Sequence, residues 1–296
     1  MATQLAQAGQ ALAESVNEKQ ICARGLVTRQ LNQTIFAWVR EQRGGAARVV
    51  VSNLTGQRYL GTNLAGYPVR LDLYGTPGND LGAFLDGPTL WVHGNAQDGV
   101  GNTMNAGRIV VEGSAGDVAA LSARGGELFI WGNVGYRACL HMKEYQGQRP
   151  LVVVGGTAQD FFGEYMAGGV AVLLGLGTGP GSGPGSEPTV DSGGASSQGG
   201  AAGAGPLIHR IPYLATGMHG GVIYLRGEWD PSVLSTQVEA EPVASLRAEP
   251  ALAEAVGQFT EVFSVRLNAV QRDLLERGPY WRIRPRGKRP YARLYA

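Results

Sequence analysis

Three short runs decide the fold: Thr89-Leu-Trp-Val-His-Gly94, Arg108-Ile-Val-Val-Glu-Gly113 and Glu127-Leu-Phe-Ile-Trp-Gly132. Each is an apolar pentad closed by a glycine, and the closing glycines stand 19 residues apart. Upstream, Tyr67-Pro-Val-Arg-Leu-Asp-Leu-Tyr-Gly75 keeps the same step. Downstream, Leu151-Val-Val-Val-Gly155, Val170-Ala-Val-Leu-Leu-Gly175 and Val222-Ile-Tyr-Leu-Arg-Gly227 repeat the unit with looser spacing. A second glycine precedes most of these strands, at Gly66, Gly87, Gly107, Gly126, Gly169 and Gly221, so each strand is bounded by residues suited to positive-φ corners. A period near 20 with one apolar run per unit is a solenoid signature. Leucine-rich repeats share that period but are excluded, because L-x-x-L-x-L does not recur and Asn95 to Ala106 is too rich in Gly and Asn to be a helix. The expected architecture is mainly β: a right-handed parallel β-helix, a single-stranded solenoid of stacked coils, each with two or three short strands.

The flanks change period. Leu31, Ile35, Trp38 and Val39 lie at helical spacing between Thr28 and Gln42, and Gly44-Gly45 ends the run, predicting a helix that caps the first coil. Phe259, Val262, Phe263, Leu267, Val270 and Leu274 predict a second amphipathic helix, Gln258 to Glu276, on the far end. The final residues from Arg277 hold seven Lys or Arg and no acid, among Tyr280, Trp281, Tyr291 and Tyr295. They read as an extended docking strap. The expected organisation is a helical cap over 1–45, the solenoid over 46–227 with a flexible Gly-rich insertion at 176–206, and a C-terminal helix with basic tail over 228–296.

Composition narrows the function classes. Of 296 residues 46 are glycine, far above the ~7% norm, yet Gly-X-Y periodicity and a proline excess are missing, which excludes collagen. A formal charge of +1 gives no global field for nucleic acid or membrane. Two cysteines, Cys22 and Cys139, are too few for an iron–sulfur cluster or a disulfide framework. No basic start with an apolar stretch follows Met1, and no apolar run reaches membrane-spanning length, so a soluble cytoplasmic protein is expected. Gly99-Val-Gly101 and Gly175-Leu-Gly177 do not continue as a dinucleotide fingerprint and read as corners. His93, His141, His209 and His219 lack metal-type spacing and read as surface or ladder residues. Asp160 with Glu164, and Cys139 with His141, are weighed as catalytic pairs and set aside in favour of structural roles. Asn95, Asn102, Asn105 and Asn133 are expected at left-handed corners, stacked in a ladder.

The order of these motifs resembles the GXGXG β-helix domain at the C-terminus of the glutamate synthase large subunit and, more distantly, the β-helix component of formylmethanofuran dehydrogenase. Gly94-Asn95-Ala-Gln-Asp-Gly99-Val-Gly101 is similar to the family's G-D-A-N-D-Y-V-G. The stretch Gly163-Glu164-Tyr165-Met166-Ala-Gly168-Gly169 is similar to C-E-Y-M-T-G-G, and Gly217-Met218-His-Gly220-Gly221 to its G-M-S-G-G. The family's A-G-E-R-F-A-V-R-N-S-G-A segment is not reproduced, which points to a divergent stand-alone member. The resemblance implies a non-catalytic scaffold that braces glutamate-synthase-type subunits, with no cofactor in this chain and FMN and iron–sulfur clusters in its partners. Glu164 is expected to hydrogen-bond the backbone of a neighbouring coil. The alternatives are a scaffold in a formyl-transfer complex and an independent saccharide-binding β-helix protein or enzyme; neither a membrane nor a nucleic-acid partner is expected.

Overall fold

The computed structural model describes residues 17–176 and 208–287. The sequence-predicted insertion at 176–206, except Leu176, and the tail beyond Gly287, with Tyr291 and Tyr295, lie outside them. Among the described residues no helix is long and apolar enough to cross a membrane.

The chain forms a right-handed parallel β-helix built on one 11-stranded sheet. In chain order the strands are β1 (Asn17–Cys22), β2 (Ala47–Thr55), β3 (Val69–Thr76), β4 (Thr89–Val92), β5 (Arg108–Val111), β6 (Glu127–Ile130), β7 (Leu151–Val154) and β8 (Ala167–Leu173). Then come β9 (Ile208–His209), β10 (Gly220–Arg226), β11 (Glu228–Trp229), β12 (Val238–Val243) and β13 (Tyr280–Pro285). The helices are α1 (Thr28–Glu41), α2 (Pro250–Val262) and α3 (Ala269–Arg277). β1 to β8 and then β10 pair in parallel, and β13 and β12 close the sheet antiparallel. The register is unbroken from Leu71 through Leu90, Ile109 and Leu128 to Val152, so each column of side chains comes from equivalent positions.

Alternate residues on each strand fill the two faces. Inward, Leu73, Val92, Val111, Ile130, Val154, Leu173 and Leu225 form one column of the closed interior, all fully buried. At ~1.5–3 kcal/mol per buried aliphatic side chain, such columns are the main force holding the coils together. The interior would be open at β2 and β3, and there α1 buries Leu31, Ile35 and Val39 in the same core.

Most coils have one strand, not two or three; β9 and β11 add a second strand to the last two coils and pair in parallel as a separate two-stranded sheet. The other sides are turns with alternating positive φ, incompatible with β geometry, and their backbone groups bond from coil to coil instead. Two expectations for the C-terminus are also corrected. The run read as one helix is broken into α2 and α3, with Asn268 capping α3 by accepting from Gln271 N at 2.8 Å. Val270 and Leu274, read as part of its apolar face, are exposed. α2 covers the outer face of the sheet rather than its end: Leu252, Val256, Phe259 and Phe263 pack on Phe129, Trp131, Val153 and Val172. The reason is the sheet itself, whose outward column passes from Asp72 and Trp91 to Val110, Phe129, Val153 and Val172 and so turns apolar from β5 onward. The start of the basic tail is β13, not an extended strap, and its Arg282 and Arg284 pair with Glu241, Glu249 and Glu239.

Candidate functional site

The motif glycines have two structural uses. Asp80, Gly82 and Phe84, then Gly99, Gly101 and Thr103, then Val118, Ala120 and Ser122, and then Arg137, Cys139 and His141 all have positive φ. The series continues with Phe161, Gly163 and Tyr165 and with Tyr213, Ala215 and Gly217. Thus the G-x-G-x-G pattern recurs in six successive coils, mostly without its glycines. The first and third residues of a triplet donate backbone N–H groups to the following coil and the middle one to the preceding coil, as in Asp80 N to Asp98 O, Phe84 N to Asn102 O and Gly82 N to Leu60 O. Other motif glycines permit close approach. A Cβ at Gly220 would lie 2.2 Å from Ala167 O, and one at Gly168 2.4 Å from Glu144 N. Gly169 and Gly221 combine positive φ with such crowding, whereas Gly94 is looser, 3.4 Å from Gly75 O. Met166 and Met218 fill the interior and Tyr165 is exposed.

The four asparagines do not adopt positive φ. Asn95 and Asn133 belong instead to a polar ladder: Asn95 Oδ1 accepts from Ser114 N, Ser114 Oγ from Asn133 N, and Asn133 Oδ1 from Thr157 N, at 2.8 to 3.0 Å. The first two rungs keep the 19-residue step and the third takes 24, so the coil after β6 carries extra residues. The structural equivalent of Gly132 is therefore Gly156, not Gly155. Thr157 Oγ1 then meets His209 Nδ1 at 2.8 Å, and His209 Nε2 meets Arg226 O at 3.0 Å. Burial holds this histidine at about 4, against the opposing hydrogen bond to the Arg226 carbonyl, so it is neutral at pH 7. Glu164 differs from expectation: its carboxylate faces Arg137 at 3.4 Å, and its backbone carbonyl accepts from His141 N. Cys139 is buried while His141 is exposed and stacks on Tyr165, so the two form no nucleophilic pair.

The outer face of β3 to β5 carries a charged cluster that the strand pattern does not single out. The Asp72 carboxylate, fully buried, accepts from Arg48 Nε at 2.7 Å, from the Arg70 guanidinium at 2.7 Å and from His93 Nε2 at 3.1 Å. Burial acts to raise this carboxyl, but the hydrogen bonds from Arg70, Arg48 and His93 outweigh it and hold it at about 2. His93 Nδ1 faces Glu112 at 3.3 Å, and Tyr74 stacks on the imidazole at 4.2 Å. Burial lowers His93, yet hydrogen bonds to Glu112 and Asp72 raise it above its ordinary value overall. Glu112 also accepts from Trp91 Nε1 at 2.8 Å and from Arg266, beyond α2, at 3.0 Å. The cluster therefore ties three coils to the helical layer. Aligning the repeat by its 19-residue step would have revealed it, since Tyr74, His93 and Glu112 all directly follow strand cores.

A different outer surface carries rings in register. Phe161 and Tyr213 stack at 4.6 Å with the Arg137 guanidinium over Phe161, and His141 stacks on Tyr165 at 5.4 Å. Tyr213 is 58% exposed and Tyr165 46%, so these ladders face solvent.

A parallel solenoid whose coils turn on left-handed triplets, closed by a polar ladder, defines a class of glycine-cornered β-helix domains. The chain belongs to the GXGXG motif family, whose model matches residues 39–285, from within α1 to the end of β13. It is 38% identical over 282 residues to an uncharacterized protein of Methanocaldococcus jannaschii, with 95% of this chain and 98% of that protein covered.

Proposed function

We propose that the protein is a scaffold subunit that braces separately encoded catalytic subunits of a glutamate-synthase-type oxidoreductase in the cytoplasm. The observation that carries this reading is where the family motif goes: its residues bend the chain, pack the interior and bond coil to coil, and they gather no reactive groups. Family membership supports the same reading, since the glutamate synthase large subunit ends in this kind of domain. In such an assembly the flavin and iron–sulfur clusters belong to the partner subunits. The solvent-facing ladders of Phe161 with Tyr213 and of His141 with Tyr165 supply the contact surface, because rigid aromatic rings beside an arginine are the typical anchors of protein interfaces.

Affinity purification of the tagged protein from its native cells tests the proposal. Flavin- and iron–sulfur-bearing or amidotransferase subunits are expected to co-purify with the wild type and to be lost with Tyr213→Ala plus Tyr165→Ala. Repeated recovery of the protein alone, or recovery of an unrelated set of partners, overturns it.

A further inference from the structure

The extra residues after β6 build a cavity. In the regular coils one corner carries Asp86, Asn105 and Arg124 in a column with a 19-residue step. At the next coil the chain adds a small hairpin closed by the Tyr145–Gln148 bridge. It folds back over the preceding coils, where Gly125 makes room: a Cβ there would lie 2.8 Å from the Gln148 Cβ and 2.1 Å from Asn105 O. The pocket, about 260 Å³ and open to solvent, is lined by Asp86, Asn105, Arg124, Tyr145, Gln146 and Gln148, of which Asp86 and the three hairpin residues are exposed.

On the hairpin Gln146 Nε2 donates to Tyr145 Oη at 3.4 Å, whereas Arg124, Asp86 and Asn105 have no side-chain hydrogen-bond partner among the described residues. Arg124 makes no ion pair or side-chain hydrogen bond among the described residues, and its Nε is buried without an acceptor. The Tyr145 ring, 5.4 Å from the guanidinium carbon, holds the group against the hairpin. Asp86 and Asn105 likewise make no side-chain hydrogen bond among the described residues. A buried donor left without an acceptor is destabilising. Elsewhere in this protein arginines on the sheet face are matched to carboxylates, as Arg108 is to Glu127 at 2.6 Å. Arg124 and Asp86 stand two coils apart, ~10 Å along the column, and do not pair with each other. Between them lie the carboxamides of Asn105 and Gln148, which can donate and accept.

We propose that this cavity binds a free α-amino acid, with its carboxylate on Arg124 and its ammonium toward Asp86. A guanidinium fork matches a carboxylate in a bidentate fashion, and the acid two coils away across the pocket matches the ammonium at the other end of the ligand. A purely anionic ligand would leave Asp86 opposing it. The site is independent of the scaffold role: either stands if the other fails.

The test uses isotope-labelled full-length protein titrated with the common L-amino acids, and with propionate, propylamine and inorganic phosphate as single-charge probes. At least one amino acid is expected to move the amide resonances of Asn105, Arg124 and Gln148 saturably, binding about tenfold more tightly than either half-probe. Arg124→Gln is expected to weaken that amino acid about tenfold or more, and Asp86→Asn to weaken it about tenfold while leaving propionate unchanged. Neither side chain supports the fold through a hydrogen bond, so both variants should keep the wild-type circular dichroism spectrum. Absence of saturable shifts with every amino acid at millimolar concentration overturns the proposal. So does phosphate or propionate binding as tightly as any amino acid, or unchanged amino-acid affinity in Asp86→Asn.

Discussion

At the residue scale, the glycines separate into those needed for conformation and those needed for space. Gly107 needs both: its φ is +93°, and a Cβ would lie 2.4 Å from Pro88 O. Gly66 has φ +76° but open space around it. Gly66→Ala is therefore expected to lose ~1–2 kcal/mol from left-handed strain alone, and Gly107→Ala clearly more, read as the difference in urea unfolding midpoints. Equal losses would show that the close contact at Gly107 relaxes freely. The two histidines bound within the fold give opposite pH signatures. His93 is raised above 6.5, so its contribution is complete below 6.5 and fades as pH rises through its folded value. His209 is lowered to about 4, so the unfolded chain takes up the proton first and stability falls as pH drops below 6.5 toward 4. Stability measured against pH should lose its slope between 6.5 and about 4 in His209→Gln, with the carboxylate slope below that kept, and its slope above 6.5 in His93→Gln. The same slopes in wild type and variants would contradict these placements. Part of this scale was legible: of the four asparagines read as a ladder Asn95 and Asn133 form one while Asn102 bonds Asp80, and the 19-residue step located the corners. It could not show that Val118, Arg137 or Tyr213 also adopts a left-handed conformation, because coil-to-coil hydrogen bonds impose it against the preference of those side chains.

At the element scale, the informative piece is α2. Its apolar stripe at Leu252, Val256, Phe259 and Phe263 was readable in part, but the surface it meets was not. In one outward column Asp72 and Trp91 give way to Val110, Phe129, Val153 and Val172, and in its neighbour Arg70, Arg108 and Glu127 give way to Leu151 and Val170. That switch along a column, invisible within any single strand, directs the helix to the flank and leaves the charged cluster uncovered. Phe259 is fully buried and lies parallel to Trp131 at 6.1 Å. Phe259→Ala is expected to destabilise the helical layer by ~3–5 kcal/mol. Hydrogen exchange should quicken in α2 and α3 while strands β4 to β7 keep their protection, since their inward side chains belong to a separate core. Uniform loss of protection would mean that the two cores unfold as one unit.

At the scale of the whole molecule, a solenoid has two ends, and each exposes strand edges and interior that must be covered. Here the first coil is closed by β1 and α1, and the last by β13, antiparallel to β10, and by β12, antiparallel in turn to β13. The far cap is fastened by charge outside and by apolar packing inside. Arg282 bridges Glu241 at 2.6 Å and Glu249 at 2.5 Å, while Ile283 sits opposite Ile223 with no exposure. Such partly exposed ion pairs add little, ~0–1 kcal/mol each, so Ile283 should dominate. Ile283→Asp buries an unpaired carboxylate and is expected to release β13, exposing the hydrogen-bonding edge of β10. A freed parallel edge is a template for another chain, so the variant should associate with rising concentration in sedimentation velocity. Val270→Asp, a comparable change at a position 69% exposed on α3, should sediment as the wild type does. An Ile283→Asp protein that keeps the wild-type sedimentation behaviour with its solenoid intact would mean that the ion pairs or the helical layer hold the cap in place, and that the end of this β-helix is secured from outside rather than from its core.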